Sequence, residues 1–179
     1  MIKIIYLILT ILFISFFFEG CSILSEKKSD FLESGESTLF EKGKRDYLSS
    51  LNFNLDQTKT NLAINELNQF IKEHPDSSKV KEAYDLIQKL LKKIEQKNYY
   101  IANYYFIMHK YKAALIYFQD FINQFPKTSF KEKVLYKICV SQYQISRKED
   151  FFKSYNEYIK NFPNSNNAKK LKILYKKLN

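Results

Sequence analysis

Along most of this chain apolar residues recur at alternating steps of three and four, the spacing that gathers them on one face of a helix. The longest such run is Val80, Tyr84, Ile87, Leu91, Ile94, Ile101, Tyr105 and Met108, broken only at Asn98. Neither Pro nor Gly interrupts it, so residues 78–109 predict one continuous helix of about 45 Å. Upstream, Ala63, Leu67, Phe70 and Ile71 form a stripe over residues 58–74, with Asp56 placed to cap its start. Residues 40–54 carry a weaker helical pattern, and Gly43 weakens it further. Downstream, residues 110–125, 129–146 and 148–162 read as three more helices. Residues 167–178 read as a last one, with Ala168, Leu171, Leu174, Tyr175 and Leu178 on a face opposite many lysines.

Three prolines punctuate these helices in the same way. Pro75, Pro126 and Pro163 are each followed by one polar residue and then Ser77, Thr128 or Ser165. Proline stops a helix, and the hydroxyl after it can take a free N–H of the next one. Within residues 98–126, NYYIANYYFIMHKYKAALIYFQDFINQFP, Ala102 and Ala114 fall where two helices must approach closely, with Ile101, Tyr105 and Phe118 beside them. Counted back from Pro126, this segment resembles a tetratricopeptide repeat of about 34 residues, although Asn98 stands for the usual aromatic and Phe121 for a small residue. The Pro75–Pro126 interval exceeds the Pro126–Pro163 interval by about four helical turns, which places an insertion inside the long helix. The fold expected is all-α, a tetratricopeptide-like array of about three hairpins with one long bridging helix.

In such arrays the first helices of the hairpins line a groove that binds another chain. The count from Pro126 puts Tyr99, Asn103 and Phe106 at groove positions, and the count from Pro163 adds Tyr136, Val140 and Tyr143. Two roles stand open for these side chains: anchoring a partner, or packing between neighbouring helices.

Charge changes this picture little. The formal net charge is +10, yet all the basic residues but Arg45 and Arg147 are lysines, and arginine is the residue favoured for bidentate phosphate contacts. Solvated helix faces explain the lysines, and nucleic acid is not an expected partner. His74 and His109 lie at helix ends with no Cys, Asp or Glu at ligand spacing, so no metal is expected. There is no Gly-rich phosphate loop and no Gly-x-Ser-x-Gly elbow. Neither an enzyme nor a cofactor is expected.

At the start, Lys3 precedes the apolar run Ile4 to Phe18, shorter than the about 20 residues a membrane-spanning helix needs. It suits the core of a signal peptide over residues 1–20. Gly20-Cys21 at its end resembles the bacterial lipobox, with Phe18 and Glu19 departing from the usual residues. That resemblance implies cleavage between Gly20 and Cys21, acylation of Cys21, including palmitate, and durable attachment to a membrane by several acyl chains. A retained N-terminal anchor is the alternative. Residues 21–40 are polar without sustained periodicity and read as a tether, leaving 41–179 as the repeat domain. Cys139 then lacks a cysteine partner and reads as a small core residue.

Taken in order, the lipobox, NLDQTKTNLAINELNQFIKEHPDSS, the long helix and YYIANYYFIMHKYKAALIYFQDFINQFPKTSFKEKVLYKICVSQYQ resemble the BamD family, repeat lipoproteins of the outer-membrane β-barrel assembly machinery. The resemblance spans residues 53–177. It implies an outer-membrane lipoprotein on the periplasmic side, held by lipid, and Ser22 after the cysteine fits that sorting. Implied partners are the periplasmic domains of the barrel-forming core protein and the other assembly lipoproteins, and the implied role is aiding insertion of outer-membrane proteins. Members usually carry more repeats than this chain has room for, the shortfall lying before Phe53. FEKGKRDYL resembles the family's opening helix. The alternative function is a stand-alone repeat lipoprotein that scaffolds cell-envelope or peptidoglycan enzymes.

Overall fold

The computed structural model describes residues 20–51 and 57–178, with side chains from residue 35 onward. The signal segment, the Cys21 side chain and the Asp56 cap lie outside the described residues. Among those described are seven helices and no strand: α1 Gly20–Ser50, α2 Thr58–Glu73, α3 Val80–Ile107, α4 Tyr111–Gln124, α5 Lys131–Gln144, α6 Lys148–Asn161 and α7 Asn166–Leu178. The chain is an all-α helical-repeat array. It divides into two compact units, with the boundary at Leu90 inside α3.

The first unit comprises α1, α2 and the start of α3. Its core is Phe40, Ala63, Leu67, Phe70, Ala83, Leu86, Ile87 and Leu90. Gly43 sits inside α1, and a Cβ there would lie 2.9 Å from the Leu67 side chain. The residue that weakens the helix by propensity is thus the one that lets α1 settle against α2. Long charged side chains reach across the same contact. Lys42 pairs with Glu66 at 2.7 Å and Lys59 with Asp46 at 3.1 Å, while Lys44 of α1 pairs with Glu82 of α3 at 2.9 Å. The stretch 21–40, read as a tether, is helical throughout in α1. Its Lys, Glu, Leu and Ser residues allow a helix without an apolar stripe, and no proline stops one.

α3 runs unbroken through Asn98, as its pattern predicts. In the first unit the buried face keeps Ile87 and part of Val80 from the predicted stripe but shifts to take in Ala83, Leu86 and Leu90, leaving Tyr84 exposed. A wide apolar stripe leaves open which edge meets the neighbouring helices, and here it is the edge carrying the small Ala83.

The second unit comprises the rest of α3 with α4 to α7; α4 packs on α5, α5 on α6, and α7 against both α5 and α6. Its small contact residues, Ala102, Ala114, Cys139 and Ala168, are all fully buried. Around them lie Tyr99, Phe118, Phe121, Phe151 and Tyr158. The expected apolar face of α7 joins this core through Ala168 and Leu171, with Leu174, Tyr175 and Leu178 half-buried.

The turns repeat closely, with the hydroxyl taking the N–H two residues on in the first two and three residues on in the third. Before each proline, the N–H of His74, Phe125 or Phe162 donates to the carbonyl of Phe70, Phe121 or Tyr158. After it, the hydroxyls of Ser77, Thr128 and Ser165 accept the N–H of Lys79, Phe130 and Ala168 at 3.1, 3.0 and 3.0 Å. The turns within the hairpins also match. His109 and Ser146 are left-handed, with φ of 56° and 60°, and Lys110 and Arg147 donate back to Tyr105 and Gln142. This six-residue closure satisfies carbonyls that a helix end leaves free.

Candidate partner-binding face

The residues expected to line a groove all lie in the second unit, Tyr99, Asn103 and Phe106 on α3 and Tyr136, Val140 and Tyr143 on α5. The structure sorts them. Tyr99 belongs to the core, with 7% of its surface exposed. Its ring stacks on Phe130 at 4.2 Å between centroids and meets Phe121 edge-on at 6.1 Å. Burial raises its phenol pKa above the ordinary value. Tyr99 therefore follows the packing alternative, because a neighbouring ring on the turn into α5 takes up its face.

The other five are half-buried. Phe106 meets Tyr111 and Phe118 edge-on at 5.7 and 6.3 Å. Tyr136 leans on Tyr158 at 6.5 Å, and burial raises its phenol pKa. Tyr143 meets Phe151 at 5.9 Å and helps line a cavity of about 400 Å³ with Ser146, Lys148 and Leu178. Val140 packs at the margin of the core. Each of these side chains spends part of its surface inward and keeps part outward.

Lys137 is the member that the repeat count misses. Its ammonium donates to Asn103 Oδ1 and, at 3.3 Å, to the Tyr99 hydroxyl. It also stands 5.3, 5.2 and 5.8 Å from the ring centres of Tyr99, Phe106 and Phe118, within reach of cation–π attraction. Burial, and then the charge of Lys133, lowers its pKa below the usual lysine value. One signal was legible: Lys137 is the lone charge in Val134–Val140, VLYKICV. A charge inside such a run must find oxygen or aromatic partners across the helix interface.

The reactive groups of the unit are committed elsewhere. Cys139 is a free, fully buried thiol, pushed up to about 12 chiefly by burial. The Tyr158 hydroxyl donates to Glu132 at 2.8 Å and shares a 2.7 Å contact with Ser165, and burial pushes it up to about 12. Asn167 also donates to Glu132, at 3.3 Å. These groups tie α5, α6 and α7 together. Among the described residues, no group of three or more His, Cys, Asp or Glu side chains is placed to hold a metal, and no helix is long and apolar enough to cross a membrane.

Paired helices, hairpins closed by repeated turns and a half-buried aromatic face define a helical-repeat scaffold of the kind that binds other chains. The family model of YfiO, outer membrane lipoprotein, matches residues 15–149. The chain belongs to this family, the BamD family of outer membrane lipoproteins. The match takes in α1, where the resemblance of the sequence was thinnest, and stops at the start of α6. A comparison with curated proteins gives no match.

Proposed function

We propose that this protein is a lipid-anchored, periplasm-facing component of the outer-membrane β-barrel assembly machinery, which binds the periplasmic domains of the barrel-forming core protein and aids insertion of outer-membrane proteins. The observation that carries this reading is the family match over residues 15–149, which begins within the apolar segment before Cys21 and runs through the array into α6. Cys21 is the residue proposed to hold the lipid, and the other assembly lipoproteins are the further partners. The role is binding and not catalysis. Half-buried aromatic side chains on α3 and α5 support it, since such rings dominate the energy of protein interfaces.

The test is affinity purification of the full chain from detergent-solubilised membranes, followed by mass spectrometry. Barrel-assembly components at stoichiometric yield are expected. Recovery of peptidoglycan or other envelope enzymes in their place would overturn the reading and favour a stand-alone scaffold. In the same strain, Cys21→Ser should abolish palmitate labelling and release the protein from membranes, and unchanged labelling would remove the anchor from the proposal.

A further inference from the structure

Among the lysines described here, Lys137 stands apart. Its ammonium has three N–H donors, and the two oxygens that it meets, Asn103 Oδ1 and the Tyr99 hydroxyl, are both neutral. The ion pairs found among the described residues join Lys42 to Glu66, Lys44 to Glu82, Lys59 to Asp46 and Arg147 to Asp150, and leave Lys137 out. Glu132, earlier on α5 and on a different face of that helix, is engaged by Tyr158 and Asn167. Lys133, about one turn earlier on α5, lies over the ring of Phe130 at 5.9 Å. The face thus carries positive charge in a partly dry, ring-lined setting, with no described carboxylate paired to it.

We propose that Lys137, held by Asn103 and Tyr99 beside the ring of Phe106, is a docking point for a glutamate side chain of the protein partner. The inference rests on the reading that this array binds another protein. Rings around the ammonium exclude water, so a full negative charge arriving there is attracted far more strongly than at an open surface. Loss of hydration already lowers the Lys137 pKa, and a carboxylate would restore what burial removes. The half-buried position favours an anion carried on a stem, which glutamate has. A chain terminus carries its carboxylate on the backbone and calls for free N–H groups beside it. α3 and α5 spend theirs within the helices.

The test uses the full chain in detergent and three peptides of alternating phenylalanine with glutamate or glutamine. One is a glutamate peptide blocked at both ends, one its blocked glutamine counterpart, and one a glutamine peptide with a free C-terminus. NMR of the Lys137 ammonium and the Asn103 side-chain amide should show a saturable shift with the first peptide alone. Lys137→Met, which keeps the stem among the rings, should abolish the shift with helix content and melting temperature little changed, whereas Lys137→Arg should retain it. Equal shifts with the blocked glutamine peptide, a shift only with the free terminus, or no shift with any peptide would each overturn the proposal. In membranes, Lys137→Met should lower recovery of the assembly core about tenfold, and undiminished recovery counts against the site. Should the wild-type chain recover no assembly component, the functional reading falls, while the peptide shifts still decide whether Lys137 takes a carboxylate.

Discussion

The two compact units solve the same packing problem with different side chains. In the second, rings do most of the joining: Tyr99, Phe118, Phe121, Phe151 and Tyr158 fill the core, and the ion pair found there, Arg147–Asp150, is local at 3.6 Å. In the first, α1 meets α2 across Gly43 and Leu67, and the pairs Lys42–Glu66 and Lys59–Asp46 flank that contact. Rings tolerate some freedom in how helices cross, because they fill space. A glycine contact with charged side chains on either side fixes register, because one residue of slippage separates both pairs and drives a side chain into Leu67.

The largest effect that would expose this difference is the loss of a ring from the second unit. Phe118→Ala should cost about 3–5 kcal/mol of stability, measured by urea denaturation, with lost amide protection concentrated in α4 and α5. Equal loss of protection in α1 and α2 would mean that the two units do not differ in this way. In the first unit, Lys42→Met should cost about 1–3 kcal/mol, because it strands the Glu66 carboxylate, whose Oε2 already lacks a partner among the described residues. The measurement is the same, and a neutral result would show the pair to be ornamental to register. Alkali gives a smaller and more selective test. Tyr158 rises from 10.0 to about 12, chiefly by burial, and Cys139 from 9.0 to about 12 for the same reason. Below the unfolded values both groups are neutral in either state, and their contribution is fully present. As the pH climbs toward 12, the unfolded chain gives up these protons first and the second unit loses stability. Tyr158→Phe should flatten that decline in urea midpoints, and an unchanged slope would remove the tyrosine from the account.

These contrasts also explain what could be read from the chain beforehand. The array, its order and its turns were legible because Pro75, Pro126 and Pro163 act on their own neighbours, and because Ala102, Ala114, Cys139 and Ala168 repeat a size constraint. Local chemistry leaves a local trace. Gly43 misled for the opposite reason, since its value lies in a contact with Leu67 that no local pattern contains. The helicity of residues 21–40 was hidden by the want of an apolar period, which measures burial and not backbone conformation. On the candidate face, the repeat count found Asn103, Phe106, Tyr136, Val140 and Tyr143 at half-buried positions, yet it could not foresee that Phe130 would claim Tyr99. Lys137 was visible as a charge in an apolar run, but the rings that surround it come from α3 and α4.

The proline turns carry a consequence for descent. Each closes its own hydrogen bonds, from the N–H before the proline to the hydroxyl after it. An in-frame duplication or deletion that joins one such turn to another therefore carries these hydrogen bonds with it to the junction. Recombination can lengthen or shorten the array by whole hairpins, and selection then sees a change in reach and binding area before it sees a failure to fold. Repeat number becomes a quantity that lineages can adjust, with each Pro-x-Ser or Pro-x-Thr serving as a seam.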